Sequence, residues 1–476
     1  MVYVLKYIGP FLRMNALTSE HVEKQLFFLS KEAVKYLVLN SRCGIAVPQS
    51  ELKSRHLPNI DNSIINSISP LLCIYKKANP KLINIGGYLC FDEDSLKKEI
   101  NIEGNGLMTL SLLELVDYYR KLKDIDSKKY SLSNLYLVLA RKQLEFYAAN
   151  FRNIEGVFID KKNTAHALDG DFNFEDKNKK FKYSDQALMM AAFYKYSQYD
   201  DSKCGEDYKT FSLDILKMFI AYKDELYLCS KEELAKVCLA LNMFYSYSMH
   251  PEAKLLLLDL MEYLLEDADI SSKTEIDLEE DCLIFINCML LYKNTDMLKF
   301  RDIGEQIYNK LLELYDPERG IFIKPSDKKE ISYSSVEVLS YLFSILCYSN
   351  LIEETTDNKL IMVDIFRRQV VDSGLILSWP PSPDLDDVER YRSFSSKSEN
   401  LLEEQEFRMA SIATPEAAEL PPVFIKNISY NKKKESFSPG KSTFDSARNM
   451  FIFFMSIYLT KIFGETDLQE KKSEQP

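Results

Sequence analysis

The fold is decided by LYLVLARKQLEFYAANF (residues 135–151), which is followed by NIEGVFID (153–160) and, after a polar loop, by DQALMMAAFYKYSQY (185–199). Most of this pattern returns in LLELYD (311–316), PERG, IFIK and then SVEVLSYLFSILCYSN (335–350). In both copies an apolar periodic helix leads through a turn with glycine into a short extended segment, a loop and a second helix. We take this helical hairpin as the building block of the protein.

Six such hairpins can be traced along the chain. The second helices are apolar on nearly all faces, as in an inner ring surrounded by protein, whereas first helices such as FRDIGEQIYNKLLELY (300–315) are amphipathic, as in an outer ring. Six hairpins in sequence predict an all-α fold, an (α/α)6 toroid with short β segments in its loops. An open helical solenoid is the alternative, but the variable length of the repeat favours the closed ring. The predicted first helices start near 60, 130, 208, 251, 297 and 358, and the second helices near 108, 184, 231, 275, 334 and 443.

The hairpin pattern also divides the chain. We expect residues 1–59 to form an N-terminal extended segment and a helix packed on the toroid. Residues 60–463 are predicted to form the toroid, with a helix at 60–77 and a long insertion at 380–441, and residues 464–476 a disordered tail.

Glycines mark the ends of three predicted outer helices. Gly156, Gly320 and Gly374 are expected to stop these helices in a left-handed conformation, which costs glycine little. Strand content is expected only in short segments such as 157–160 and 321–324.

Composition narrows the class of protein. The 476 residues carry a net charge of -12, which repels polyanions and makes nucleic acid an unexpected partner. The nine cysteines form no CxxC pair and the four histidines lack ligand spacing, so we predict neither a metal nor another cofactor. No secretory signal peptide is visible, and the most lipid-like run, 450–460, is too short to span a bilayer. The expected location is cytoplasmic.

Loop lengths indicate the end of the toroid at which a ligand would bind. Connections within hairpins are long, at 78–107, 151–183, 316–333 and 373–442, and in a toroid they emerge where the inner helices present their N-termini. A cleft is expected at that end. The positive potential of helix N-termini would favour an acidic ligand there.

The phrase NIEGVFID, followed by a loop and SDQALMMAAFYKYS (184–197), resembles the six-hairpin glycosidase-like superfamily. Members include N-acylglucosamine epimerase-like proteins and unsaturated glucuronyl hydrolases. The resemblance rests on the rhythm of helix, glycine, aromatic segment and helix over residues 60–463 and includes no diagnostic catalytic motif. It implies a toroid and a carbohydrate-active protein, similar to a glycoside hydrolase or a sugar epimerase, that uses the cleft.

Two carboxylates are placed to work in such a cleft. Glycoside hydrolysis needs an acid together with a base or nucleophile, and Asp185 and Asp445 stand at the starts of predicted inner helices. We predict both as catalytic. The alternatives are that Asp185 only complements the helix dipole and that Asp445 only caps its helix.

Four further residues are predicted to bind substrate: Trp379, Asp160, His166 and Arg448. Trp379 is the only tryptophan and follows a glycine at the open end, where its ring could stack on a sugar. The alternative is a plug packed against the neighbouring prolines. Arg448 begins the last inner helix, where a capping role competes with binding.

Two classes of function remain open on the sequence. The first is a carbohydrate-active protein whose ligand is a sugar or an acidic small molecule. The second is a non-catalytic helical scaffold that docks a protein partner through residues 380–441. That insertion is either a lid over the open end or a disordered docking element.

Overall fold

The body of the protein is helical. The computed structural model describes residues 17–48, 68–164, 172–266, 277–381 and 419–464, together with residues 7–8, 12–13, 383, 387 and 389. Within these residues the helices of ten residues or more are α1 (Ser19–Leu39), α2 (Ile102–Arg120), α3 (Ser127–Asn150), α4 (Tyr183–Ser197), α5 (Lys203–Ala221), α6 (Lys231–Ser248), α7 (Pro251–Glu266), α8 (Leu278–Thr295), α9 (Leu298–Leu312), α10 (Ser335–Leu351), α11 (Thr356–Ile365) and α12 (Ser446–Gly464).

The helices form two concentric rings. Each even-numbered helix packs against the next even-numbered one, and α12 packs against α2, so that six inner helices close a circle. Each odd-numbered helix from α3 to α11 packs on the outside of the inner helix before it, and α1 packs on α12. The fold is therefore an (α/α)6 toroid, and the solenoid alternative fails because the first and last inner helices touch.

Burial follows the predicted difference between the rings. In the inner helix α8, ten consecutive residues (282–291) are buried, because other elements surround it. In the outer helix α9, burial is confined to one stripe of residues that helical periodicity places on one face. Within the described residues, no helix is both long and apolar enough to cross a membrane.

The prediction for the first hairpin was wrong. The described part of the predicted helix at 60–77 contains the strands β4 (Leu71–Ile74) and β5 (Lys77–Ala78), and the first outer helix is α1. All four residues of β4 are buried, so its apolar run lacks the alternation of a half-buried strand. A short run of this kind cannot be told from a helix by periodicity.

Short strands occupy the loops between helices. Within the described residues no sheet has more than three strands. The predicted strand at 321–324 is present as β12 (Ile321–Phe322), whereas 157–160 forms only a bridge at Phe158, and the strand there, β9 (Lys161–Asn163), begins at Lys161. The remaining strands are β1 (Tyr7–Ile8), β2 (Leu12–Arg13), β3 (Gly44–Ala46), β6 (Leu82–Ile85), β7 (Tyr88–Phe91), β8 (Glu99–Ile100), β10 (Phe174–Asp176), β11 (Tyr315–Asp316), β13 (Glu330–Ser334), β14 (Asn427–Asn431), β15 (Ser436–Pro439) and β16 (Phe444–Asp445).

The three glycines are left-handed but do not all stop helices. Gly156, Gly320 and Gly374 have φ values of 85°, 61° and 75°. However, α3 ends at a right-handed Phe151 and α9 at a right-handed Glu313. Gly156 and Gly320 instead close turns several residues later, where the chain reverses into an extended segment.

The described residues of the insertion at 380–441 lie at both ends of the toroid. Glu389 is buried beside the last turn of α2, where it accepts hydrogen bonds from Tyr118 Oη (2.8 Å) and Lys31 Nζ (2.7 Å) and pairs with Lys129. This is the end opposite the inner-helix N-termini. The later part, β14 and β15, joins β13 in an antiparallel sheet beside the start of α10. At residue 389, therefore, the insertion does not cover the predicted cleft.

Buried amide side chains tie three loops to the inner ring. In α2, α4 and α12 the fourth residue is Asn or Gln, and its amide both donates to and accepts from the backbone of one residue in a loop strand or bridge. Both backbone groups of that residue are thereby satisfied. The pairs are Asn105 with Ile74 (2.9 and 3.2 Å), Gln186 with Phe158 (2.9 and 2.8 Å) and Asn449 with Phe424 (2.8 and 3.1 Å).

An ionic network joins the inner helices at the opposite end. Lys461 of α12 contacts two carboxylates of α2, Glu114 at 2.6 Å and Asp117 at 2.5 Å. Lys195 of α4 also pairs with Asp117, at 3.0 Å. Tyr199 and Tyr247 donate to the remaining carboxylate oxygens of Asp117 and Glu114, both at 2.7 Å. The network thus links the first and last inner helices.

Replacing Asn449 by leucine should destabilise the protein by about 2–4 kcal/mol, because the buried N–H and C=O of Phe424 lose their partners. Urea unfolding at pH 7 measures this change. The exposed Asn309 of α9 provides the control, since Asn309→Leu should change the free energy of unfolding by less than about 0.5 kcal/mol. Equal effects of the two substitutions would contradict the role of the amide.

Asp117 should make stability depend on pH. Burial alone would raise its pKa, but Lys195 and Lys461 lower it from 3.8 to about 2. The stabilisation is thus complete well above pH 3.8 and is lost as pH falls towards 2. Asp117→Asn should lower the free energy of unfolding by about 2 kcal/mol at pH 6, and this deficit should fall by about half between pH 5 and pH 3.

Urea unfolding at several pH values measures the deficit. Asp201→Asn, at an exposed position, is the control and should show no such trend. A deficit for Asp117→Asn that stays constant from pH 6 to pH 3 would show that the carboxylate charge is not stabilised by the two lysines.

Candidate functional site

A cavity of about 220 Å³ lies at the N-terminal end of the inner ring. Side chains from the beginnings of α2, α6, α8, α10 and α12 face it, so five of the six inner helices contribute. This is the end at which the long loops within the hairpins emerge. The lining residues are Glu103, Glu232, Lys236, Glu279, Glu280, Leu283, Ser334, Val336, Ser340, Asp445, Ala447, Arg448 and Phe451.

The lining is acidic. It contains five carboxylates and two cations, Lys236 and Arg448. Lys236 Nζ lies 2.7 Å from Glu232 and 3.8 Å from Glu103, so it is already paired. This balance opposes the acidic ligand that was expected from the helix dipoles, because carboxylates in the first turns offset the positive N-termini. Among the described residues, no group of three or more His, Cys, Asp or Glu is arranged to hold a metal ion.

Two carboxylates of the cavity have pKa values shifted in opposite directions. The pKa of Glu279 is raised from 4.5 chiefly by burial; Lys236 opposes this shift, whereas Glu337 and Glu232 add to it. The pKa of Glu232 is lowered, chiefly by its hydrogen bond from Lys236. The cavity therefore holds one carboxyl group that tends to keep its proton and one that tends to stay ionised.

Asp445 and Arg448 are together at the cavity, as their positions in the sequence suggested. Asp445 Oδ1 accepts from the backbone N–H of Arg448 at 3.3 Å, which is the capping role, and both residues also line the cavity. Asp445 Oδ2 lies 3.9 Å from Lys77 Nζ. Capping and exposure to the cavity therefore coexist.

Asp185 is buried beside the cavity and is not part of its lining. The residue is 3% exposed in the first turn of α4. Its pKa is raised well above 3.8 by burial, and although Lys182 opposes this shift, Asp160 and Glu103 add to it. Such a shift is typical of functional carboxyl groups, and also of buried structural ones.

The other three predicted residues have different surroundings. Asp160 Oδ1 accepts a hydrogen bond from the backbone N–H of Ile102 at 3.0 Å. It thus satisfies one of the free N–H groups at the start of α2. Trp379 is only 6% exposed and its ring packs edge-on against Phe366, so it belongs to the core and presents no open face for stacking. His166 lies outside the described residues.

Five charged lining residues were not among the predicted site residues, namely Glu103, Glu232, Lys236, Glu279 and Glu280. Each lies within the first two turns of an inner helix. The available signal was position alone, since first-turn acidic residues are common in helices of every kind.

Known proteins resemble this chain in structure and not in sequence. No protein-family model matches it, and no curated protein matches it by sequence. A D-mannose isomerase is 9% identical with a TM-score of 0.49, and the match covers 90% of this chain and 98% of that one. A cellulase of C. cellulolyticum is 10% identical with a TM-score of 0.48, covering 93% and 98%. The cellobiose 2-epimerase of Bacillus thermoamylovorans is 10% identical with a TM-score of 0.47, covering 91% and 99%.

Replacing Asp185 by asparagine should maintain or raise the melting temperature at pH 7. Because the folded-state pKa is raised, the aspartate favours folding only below about pH 3.8 and its contribution is lost as pH rises. The advantage of Asp185→Asn over the wild type should therefore shrink at pH 4. Calorimetry at both pH values tests this expectation, with the exposed Asp207→Asn as control. A variant that melts several degrees lower at pH 7 would show that the ionised carboxylate supports the fold.

Proposed function

We propose that the protein binds a neutral sugar in this cavity and transfers protons to and from it, in the manner of a glycoside hydrolase or a sugar epimerase. One observation carries the proposal. Carboxyl groups with opposite pKa shifts, Glu279 and Glu232, face one cavity at the axis of the inner ring. Environments that separate the pKa values of two carboxyl groups in one site assign one as acid and the other as base.

Each residue has a defined role in this proposal. Glu279, which keeps its proton to higher pH, donates that proton to an oxygen atom of the sugar. This oxygen is either the one in the leaving group or one that must be protonated during the reaction. Glu232, held ionised by Lys236, acts as the base or stabilises positive charge. Asp445, predicted from the sequence as catalytic, supplies a further carboxylate from the opposite side of the ring, on the strand before α12.

The remaining lining suits a polyhydroxylated ligand. Carboxylates accept hydrogen bonds from hydroxyl groups, while Arg448 and Ser340 can donate. Phe451 adds an apolar surface for the carbon face of a ring. A neutral sugar satisfies these groups without the repulsion that a carboxylated sugar would meet.

Asp185 takes a different place in this proposal from the one that the sequence suggested. Since it is buried next to Glu103, it acts as a positioning residue rather than one that contacts the sugar. Its raised pKa favours the protonated form, which can donate a hydrogen bond behind the charged lining.

A non-catalytic scaffold is the second candidate, and one observation favours it. Some carboxylates at this end join helices to each other. Glu233 of α6 accepts from the backbone N–H (2.8 Å) and the hydroxyl (3.0 Å) of Ser184 at the start of α4. In a scaffold all first-turn carboxylates would form such contacts between helices, and the cavity would bind no sugar.

Glu279→Gln should lower turnover by about a hundredfold or more while leaving the melting temperature at pH 7 unchanged or higher, because the amide cannot donate an acidic proton. Release of nitrophenol from aryl glycosides and hexose interconversion followed by NMR provide the assays. Wild-type turnover should fall as pH rises through the raised pKa of Glu279, and the variant should lack that limb.

The control is Glu252→Gln, at an exposed position on the outer helix α7. Full turnover in Glu279→Gln would remove this residue from the mechanism. Failure of neutral hexoses and glycosides to bind the wild-type protein, measured by ligand-observed NMR, would favour the scaffold.

A further inference from the structure

A second depression, of about 530 Å³, adjoins the cavity. It is formed by residues 77–80, the side chain of Ser95 and residues 440–443. Its described lining contains two lysines, Lys77 and Lys441, and no carboxylate. This is unusual for a chain with a net charge of -12, and it contrasts with the acidic cavity beside it.

One side of this depression is rich in hydrogen-bond donors. Lys441, Ser442 and Thr443 are consecutive, exposed and outside regular structure. Among the described residues, no hydrogen bond or ion pair takes up their backbone N–H groups, their hydroxyls or the ammonium group of Lys441. A ligand could therefore accept hydrogen bonds from these groups without breaking a contact within the protein.

The depression and the cavity meet at one ion pair. Lys77 lines the depression, Asp445 lines the cavity, and Lys77 Nζ lies 3.9 Å from Asp445 Oδ2. The pairing of β5 with β16 holds the two residues opposite each other. A single ligand can thus reach both places.

We propose that this depression is a subsite for a phosphate group and that the ligand is a sugar phosphate, whose uncharged sugar ring lies in the cavity. A phosphate monoester carries a charge of about -1.5 to -2 at pH 7, which two lysines match, whereas a carboxylate requires only one cation. Lysine ammonium groups bind phosphate as point charges, and the neighbouring N–H and hydroxyl groups supply the directed hydrogen bonds. The negative group then stays outside the acidic cavity. The substrate class rests on the proposed function, but phosphate binding by the depression does not.

Titration calorimetry of the full chain at low salt tests the subsite. The probes are inorganic phosphate, glucose, mannose, and the 6-phosphates of both sugars. The sugar phosphates should bind more tightly than the neutral sugars, and Lys441→Ala should weaken binding of phosphate and sugar phosphates by about tenfold while leaving neutral sugars unaffected. Lys81→Ala, at an exposed lysine of the same segment outside the lining, is the matched control.

The outcomes separate the two proposals. Equal affinity of the wild type and Lys441→Ala for phosphate and for sugar phosphates overturns the subsite, whatever neutral sugars do. Equal weakening by Lys81→Ala also overturns it, since the effect would then be one of general charge. Phosphate binding that depends on Lys441, without binding of any sugar, supports the subsite and counts against the proposed sugar ligand.

Discussion

Closure of the inner ring is the constraint on which the rest of the structure depends. Helix α12 packs against α2, α10 and α1, so a helix from the end of the chain completes a wall begun by residues more than three hundred positions earlier. Apolar packing supplies most of the attraction, because inner helices are buried on almost every side. The contacts of Lys461 with Glu114 and Asp117 determine the relative orientation of the two helices, since they fix which end of α12 meets which end of α2.

Closure of the ring also brings the polar groups of the cavity together. The six inner helices run in the same direction, so their first turns gather at one end and bring together groups from distant parts of the sequence. The amide side chains of Asn105, Gln186 and Asn449 then hold loop segments against these first turns. The cavity walls are thus rigid helix starts backed by fixed loops, and polar groups with shifted pKa values can persist there because their surroundings cannot rearrange to relieve them.

The sequence predicted those parts of this structure that repeat. The helices from α2 to α12 were placed near their observed positions and in the correct ring, because inner and outer helices differ in how many faces are apolar. The role of first outer helix was assigned to the wrong segment because the buried strand β4 has no alternation to distinguish it from a helix. The position of Asp445 and Arg448 at the cavity could be predicted because they begin an inner helix, and their roles stay predictions. The position of Lys236 between Glu232 and Glu103 could not be predicted, because no local pattern encodes such pairs. The burial of Trp379 could not be predicted for a similar reason, since burial depends on what packs over a side chain.

The position of α12 has a consequence for how the chain folds during synthesis. Until residues 446–464 have left the ribosome, the apolar flanks of α2 and α10 have no partner, and the ring remains an open arc. Non-local contacts of this length form slowly, and an arc with two exposed seams can pair with another arc as readily as with its own last helix. The nascent protein therefore meets its greatest risk of misassembly just before α12 becomes available. The charged contacts of Lys461 with Glu114 and Asp117 favour α12 over the flank of another arc as the partner of α2, because that flank lacks Lys461.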